Sequence, residues 1–209
     1  MSPPRSLHVC LTGGPCGGKT TSLSDLRHAL ENMGLSVFVV PEVASLLFNG
    51  GCRIIPGPDG LFEFQQRLLT LQLEIEAAFR ANAASTAAAS RRSAVVIYDR
   101  GVCDIAAYVP PDMWTRLLTD AGMEQAVACA RYDLVVHLQS AAKGAEAVYL
   151  SKRPVESFGL SLAAAQALEE RTVEAWSTHV SRVVVNNQCS FESKLARAAA
   201  AIEHIARQL

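Results

Sequence analysis

The sequence predicts a three-layer α/β/α fold on a five-stranded parallel sheet, and three observations lead there. Five short runs, 7–12, 36–41, 94–99, 133–138 and 182–186, are apolar on both faces. Amphipathic helical patterns separate them, and strands of this kind are parallel and covered on both sides. A glycine-rich corner, LTGGPCGGKTTSL, follows the first run directly.

The elements follow in order. Leu7 to Thr12 is a buried strand, and Lys19 to Met33 carries apolar residues at 23, 26, 30 and 33, one helical face that Gly34 stops. Ser36 to Pro41 is β-branched and aromatic, a second strand. Asn49 to Gly60, rich in glycine and proline, is expected to be a loop. A long helix runs from Leu61 to Phe79, and Ala81 to Ser93 is expected to be its fraying end or a surface connector. Ala94 to Asp99 is the third strand. Asp112 is expected to cap a helix through Thr119, and another helix is expected over Met123 to Ala130. Asp133 to Leu138 is the fourth strand, and Ser140 to Gly159 is expected to be loop-like. Ser161 caps a helix to about Thr178, and Arg182 to Asn186 is the fifth strand. Leu195, Ala198, Ile202, Ile205 and Leu209 stripe a closing helix.

With 209 residues, half of them apolar, the chain is expected to form a single domain over 1–209. A formal net charge of -1 argues against a nucleic-acid or membrane-surface binder. Six scattered cysteines without a C-x-x-C pair suit reduced thiols, and neither a secretory signal nor a membrane span is readable. The expected location is cytoplasmic.

Gly13 to Thr20 satisfies G-x-x-x-x-G-K-[ST] between a strand and a helix, the setting a P-loop requires. Gly13, Gly14, Pro15, Cys16, Gly17 and Gly18 curl the backbone so that its amides cradle phosphates at the helix N-terminus. Lys19 meets the outer phosphates of ATP or GTP. Thr20 offers a hydroxyl to magnesium, with Thr21 a second candidate. Cys16 is either a thiol activated by the amides and Lys19 or simply a small side chain.

Asp99 ends its strand where P-loop proteins place the carboxylate that orients magnesium. Arg100 follows it, where a mechanical ATPase carries a glutamate, so that class is disfavoured. Arg100 either holds a phosphate or the acceptor, or pairs with Asp104 one turn on. Glu42, after the second strand, either accepts the proton of an attacking hydroxyl or stabilises a helix start. Arg171 is either a lid arginine for the transferring phosphoryl group or part of a solvated face; Lys152 and Arg153 are weaker lid candidates. Asn187 is a candidate for the base site. VVVNNQC is no N-K-x-D, and no D-x-x-G follows the third strand, so a Ras-like switch is disfavoured. His137 reads as a core or edge histidine, and Trp114 and Trp176 as packing residues.

The blocks LTGGPCGGKTTSL, VFVVPEVASLLFNGG, VVIYDRGVCDIAAY, RYDLVVHLQSAAKGAEAVY and EERTVEAW together resemble the AAA-type/NadR-like P-loop family. That family contains the translocation defect protein of the transient-receptor-potential-like channel. The resemblance spans about Leu7 to Leu195 and implies a kinase-like strand order 2-3-1-4-5, nucleotide and magnesium binding, and phosphoryl transfer. Gly13 to Thr20, Glu42, Asp99, Arg100 and Asp104 match its blocks. Some relatives append a second phosphate-binding domain, for which this chain is expected to be too short.

Two functions follow. One is a magnesium-dependent phosphotransferase acting on a small molecule such as a nucleoside or nucleotide. The other is a nucleotide-dependent binding module with a protein partner.

Overall fold

A computed structural model describes residues 5–156 and 159–208, with the side chains of 152–156 outside the description. Five parallel strands form one sheet: β1 (Ser6–Thr12), β2 (Ser36–Val40), β3 (Ala94–Asp99), β4 (Leu134–Leu138) and β5 (Arg182–Val185). Their order is β2-β3-β1-β4-β5, as the resemblance implies. Leu11 pairs with Asp99 and Thr12 with His137, so the carboxyl ends of the three central strands finish side by side. Helix α1 (Lys19–Asn32) starts at that edge.

Side-chain alternation divides the core in two. Val9, Leu11, Val95 and Ile97 pack on α1 and on the closing helix Phe191–Ala206, which contributes Ala198 and Ile202. Cys10, Val96 and Tyr98 point the other way, to a layer holding Phe64, Leu117, Tyr132 and Trp176. Trp114 and Trp176 are both buried there, as packing residues should be.

The connections depart from expectation in physically readable ways. Helix α2 (Val43–Asn49) follows the second strand, so a helix does start beside Glu42, which takes its N-cap position. The next loop is shorter than expected, because α3 (Pro58–Ser90) begins at Pro58 and takes in Gly60. Proline suits the first helical turn, where its missing N–H has no partner to lose. The alanine-rich tail does not fray: α3 continues unbroken for 33 residues, with Ala83 and Ala87 buried in the core. A 3-10 turn spans Val102–Tyr108.

Helix α4 (Pro111–Asp120) has Pro110, not Asp112, in the cap position; Asp112 sits inside the first turn. Helix α5 (Gln125–Cys129) is shorter than expected. The segment after β4 contains helix α6 (Glu146–Glu156) and is therefore not all loop. Helix α7 (Leu162–Ala175) is capped by Ser161, which accepts from the Ala164 amide as predicted. The closing helix, α8 (Phe191–Ala206), carries its stripe through Ile205, while Leu209 lies outside the described residues. Among the described residues no helix is long and apolar enough to cross a membrane.

Candidate functional site

The loop between β1 and α1 is held from outside by its carbonyls. Ser140 donates its hydroxyl to the Pro15 carbonyl, and the Ala141 amide donates to that of Cys16 at 3.3 Å. Lys194, on α8, donates to the Gly17 carbonyl at 3.0 Å. By contrast, the amides of Gly17, Gly18, Lys19 and Thr20 make no hydrogen bond among the described residues. A ring of unbonded N–H groups at the start of a helix is an anion cradle.

Close approach dictates the glycines. A Cβ on Gly13 would lie 2.1 Å from the Leu138 carbonyl oxygen, and its φ of +139° is one that side chains rarely adopt. A Cβ on Gly17 would lie 2.6 Å from that same oxygen. Cys16 takes a left-handed φ of 54°, which helps turn the amides inward. It is half-buried against the small cluster of Ala141, Ala142, Tyr149 and Ala165.

Lys19 folds back over the loop and donates to the carbonyls of Gly13 at 2.8 Å and Gly14 at 3.0 Å. Burial, helped by the nearby Arg100 charge, pushes its ammonium down to about 8. Thr20 donates its hydroxyl to Asp99 Oδ2 at 3.3 Å. Asp99 is 4% exposed, and its other oxygen, Oδ1, has no partner. Burial raises this carboxyl above its usual range, while Lys19 pulls the other way. A buried carboxylate oxygen without a partner, beside a hydroxyl at the mouth of a phosphate cradle, fits a divalent cation that phosphates and water also hold. Among the described residues no group of three acidic, histidine or cysteine side chains could hold a metal unaided.

The structure brings Glu42 and Arg100 together across 58 positions of sequence: Arg100 Nε donates to Glu42 Oε1 at 2.5 Å. Arg100 also donates to the Gly13 carbonyl at 3.1 Å and lies 3.6 Å from Asp104. The anticipated pair with Asp104 is therefore present beside the stronger one with Glu42. Ser45 donates its hydroxyl to Glu42, at the N-cap of α2. Burial alone would raise the Glu42 carboxyl, but Arg100 and Ser45 more than reverse this and hold it below its usual range. Burial works against the Arg100 charge too, and its acidic and phenolic neighbours outweigh it.

One cavity of about 540 Å³ is lined by Lys19, Thr20 and Thr21 together with Glu42, Arg100 and Asp104. Two anticipated residues sit elsewhere. Arg171 Nε donates to the Ala107 carbonyl at 2.8 Å, which ties α7 to the 3-10 turn, and it does not line the cavity. Asn187 donates to the carbonyls of Ser140 at 2.7 Å and Lys143 at 2.8 Å, as a staple between loops. Lys152 and Arg153 fall on α6, where side chains lie outside the described residues.

Residues 8–194 match the family model described as an AAA domain. The chain belongs to this AAA domain family. Nothing among the curated proteins matches it. As a member of the AAA domain family it is a nucleotide-binding P-loop protein.

Two buried residues behind the cradle escaped sequence reasoning. Glu169, on α7, accepts from the Gly14 amide at 2.8 Å and from His137 at 2.8 Å. His137 is thus a core histidine, but one that steadies the carboxylate under the loop. Lys194 is the second, bonded to the Gln139 carbonyl and to Asn187 Oδ1 as well as to Gly17. Neither has a local signature, since each acts on a segment far away in sequence.

Proposed function

We propose that the protein is a magnesium-dependent phosphotransferase that moves the terminal phosphoryl group of ATP or GTP to a hydroxyl of a small molecule such as a nucleoside or nucleotide. One observation carries the reading: Lys19 and Thr20 share a single cavity with Glu42, Arg100 and Asp104, so groups suited to donor and acceptor face one space. The resemblance to NadR-like P-loop domains supports the same chemistry.

In this reading the loop amides and Lys19 fix the triphosphate. Thr20 and Asp99 hold magnesium, which when bound neutralises phosphate charge. Glu42 accepts the proton of the acceptor hydroxyl, and Arg100 stabilises the transferring phosphoryl group. Arg171 serves as a lid arginine by releasing the Ala107 carbonyl, and Asn187 shapes the base site through the loops it joins. Residues 1–209 act as one domain, and the scattered free cysteines support a cytoplasmic setting.

The test is a screen of hydroxyl acceptors for ADP or GDP release above the background without acceptor. Glu42→Gln should abolish stimulated release and leave nucleotide affinity within about twofold. No stimulation by any acceptor would defeat the proposal.

A second reading, a nucleotide-dependent binding module with a protein partner, draws support from the same Glu42. Its engagement with Arg100 and Ser45 keeps it a weak base. Partner capture that depends on the loaded nucleotide, without acceptor-stimulated release, would favour it.

A further inference from the structure

Part of the cavity wall differs in chemistry from the cradle. On α3, Gln65, Leu68 and Gln72 lie three and seven positions apart, on one helical face, and all line the cavity beside Phe64. The rings of Phe64 and Phe48 stack with centroids 5.1 Å apart and planes at 15°. Ile105 and Leu168 add aliphatic wall.

A primary amide is set into this apolar wall. Gln65 is 5% exposed, its Oε1 is sealed from solvent with no partner, and its Nε2 makes no hydrogen bond among the described residues. Gln72, two turns along, shows the contrast, because its Nε2 donates to Glu76 Oε1 at 2.8 Å. A buried amide oxygen without a partner is unfavourable by about 1–3 kcal/mol, so its place in a residue of the cavity wall points to a ligand group that satisfies it.

The amide specifies its complement. It carries an acceptor and a donor side by side, and a turn of the terminal amide that frees the sealed oxygen lets the two match a planar ring edge with an N–H next to a ring nitrogen or carbonyl. Flat aromatic and aliphatic walls suit the faces of such a ring. Charge narrows the class further. The lining cations are Lys19 and Arg100; the first belongs to the cradle and the second is engaged by Glu42 and Asp104. No other cation among the described lining residues is placed to take a phosphate carried by the acceptor. The volume, about 540 Å³, accommodates a nucleoside-sized molecule.

We infer that the part of the cavity lined by Phe64, Gln65 and Leu68 is a subsite for an uncharged nucleoside-type acceptor, whose heterocycle edge pairs with the Gln65 amide. The inference rests on the phosphotransferase reading and deepens it by naming the acceptor class and the side chain that reads it.

The test uses the purified full chain with magnesium and a non-hydrolysable ATP analogue. Binding of uridine, cytidine, adenosine and guanosine, of their 5′-monophosphates, and of ribose is measured by calorimetry, with ADP release followed in parallel on ATP. At least one nucleoside should bind, its monophosphate about tenfold more weakly, and ribose not at all. Gln65→Leu should weaken the nucleoside about tenfold or more, with ATP affinity and melting temperature preserved. Should Gln65→Leu fold poorly, Gln65→Glu, which keeps an acceptor and loses the donor, should shift preference toward bases with an exocyclic amine.

The inference falls if no nucleoside binds, if both variants bind the panel like the wild type, or if monophosphates bind as tightly as nucleosides. ADP release stimulated by a ring-free polyol and indifferent to Gln65→Leu would sink the subsite but spare the phosphotransferase reading. Gln65-dependent nucleoside binding without any ADP release would do the reverse.

Discussion

Lys19 concentrates the electrostatics of the cradle in one ammonium. In the free protein it rests on the Gly13 and Gly14 carbonyls, with burial holding it down to about 8. A bound polyphosphate supplies the opposite charge that burial removes, so the ammonium titrates higher in the complex. Binding at pH 8 should therefore take up about half a proton per site, and less than that at pH 6.5. Calorimetry in two buffers of different ionisation enthalpy measures it directly; no uptake at pH 8 would mean that Lys19 does not meet the phosphates. Lys19→Ala should weaken ATP or GTP about tenfold or more.

Asp99 provides the companion prediction. Under the proposed function its unpartnered Oδ1, on the carboxylate that Thr20 bonds, takes part in holding magnesium, so chelation should weaken nucleotide binding, and Asp99→Asn should shrink the magnesium effect. A magnesium effect equal in both proteins would overturn the assignment. The cradle was legible in the sequence because its spacing is contiguous. Glu169 was not, although Arg171 two positions on drew notice. Two positions apart on a helix means nearly opposite faces, and it is the Glu169 face that meets Gly14, while Arg171 meets Ala107.

Among the elements, the strands were read almost to the residue because each is apolar on both faces. Helices without an apolar stripe were read less well. The alanine tail of α3 has no large side chains to mark a buried face, yet Ala83 and Ala87 are 0% and 2% exposed. Small residues there let the helix backbone lie close to the core that includes Ala94 and Val96. Ala83→Leu should then destabilise the protein by about 1–3 kcal/mol through overpacking, read as a lower urea midpoint. A neutral result would show that the tail stands away from the sheet. Helix α6 was missed for a different reason: glycine and proline flank or interrupt its sequence, and an N-terminal Glu146 is a weaker start signal than a serine or threonine cap.

At the scale of the whole molecule, the site exists where three chain reversals meet at the carboxyl edge of the sheet. The loops after β1, β4 and β5 are distant in sequence, and Lys194 joins all three through the Gly17 carbonyl, the Gln139 carbonyl and Asn187 Oδ1. It lines no part of the cavity, so it acts as a positioning residue for the cradle. Lys194→Met keeps the stem but leaves three acceptors without their donor, which should lower stability by about 1–3 kcal/mol. Nucleotide affinity should fall as well, because Gly17 loses the anchor that fixes its amide. Burial lowers the Lys194 ammonium from 10.5 in the unfolded chain to about 8 in the folded one. Between those pH values the unfolded chain holds more protons at this site, so its contribution to stability rises with pH. The stability difference between wild type and Lys194→Met should accordingly widen from pH 7.5 to pH 9.5 in urea titrations. A difference that narrows over that interval, or a variant that binds nucleotide as tightly as the wild type, would show that the three loops hold the cradle without Lys194.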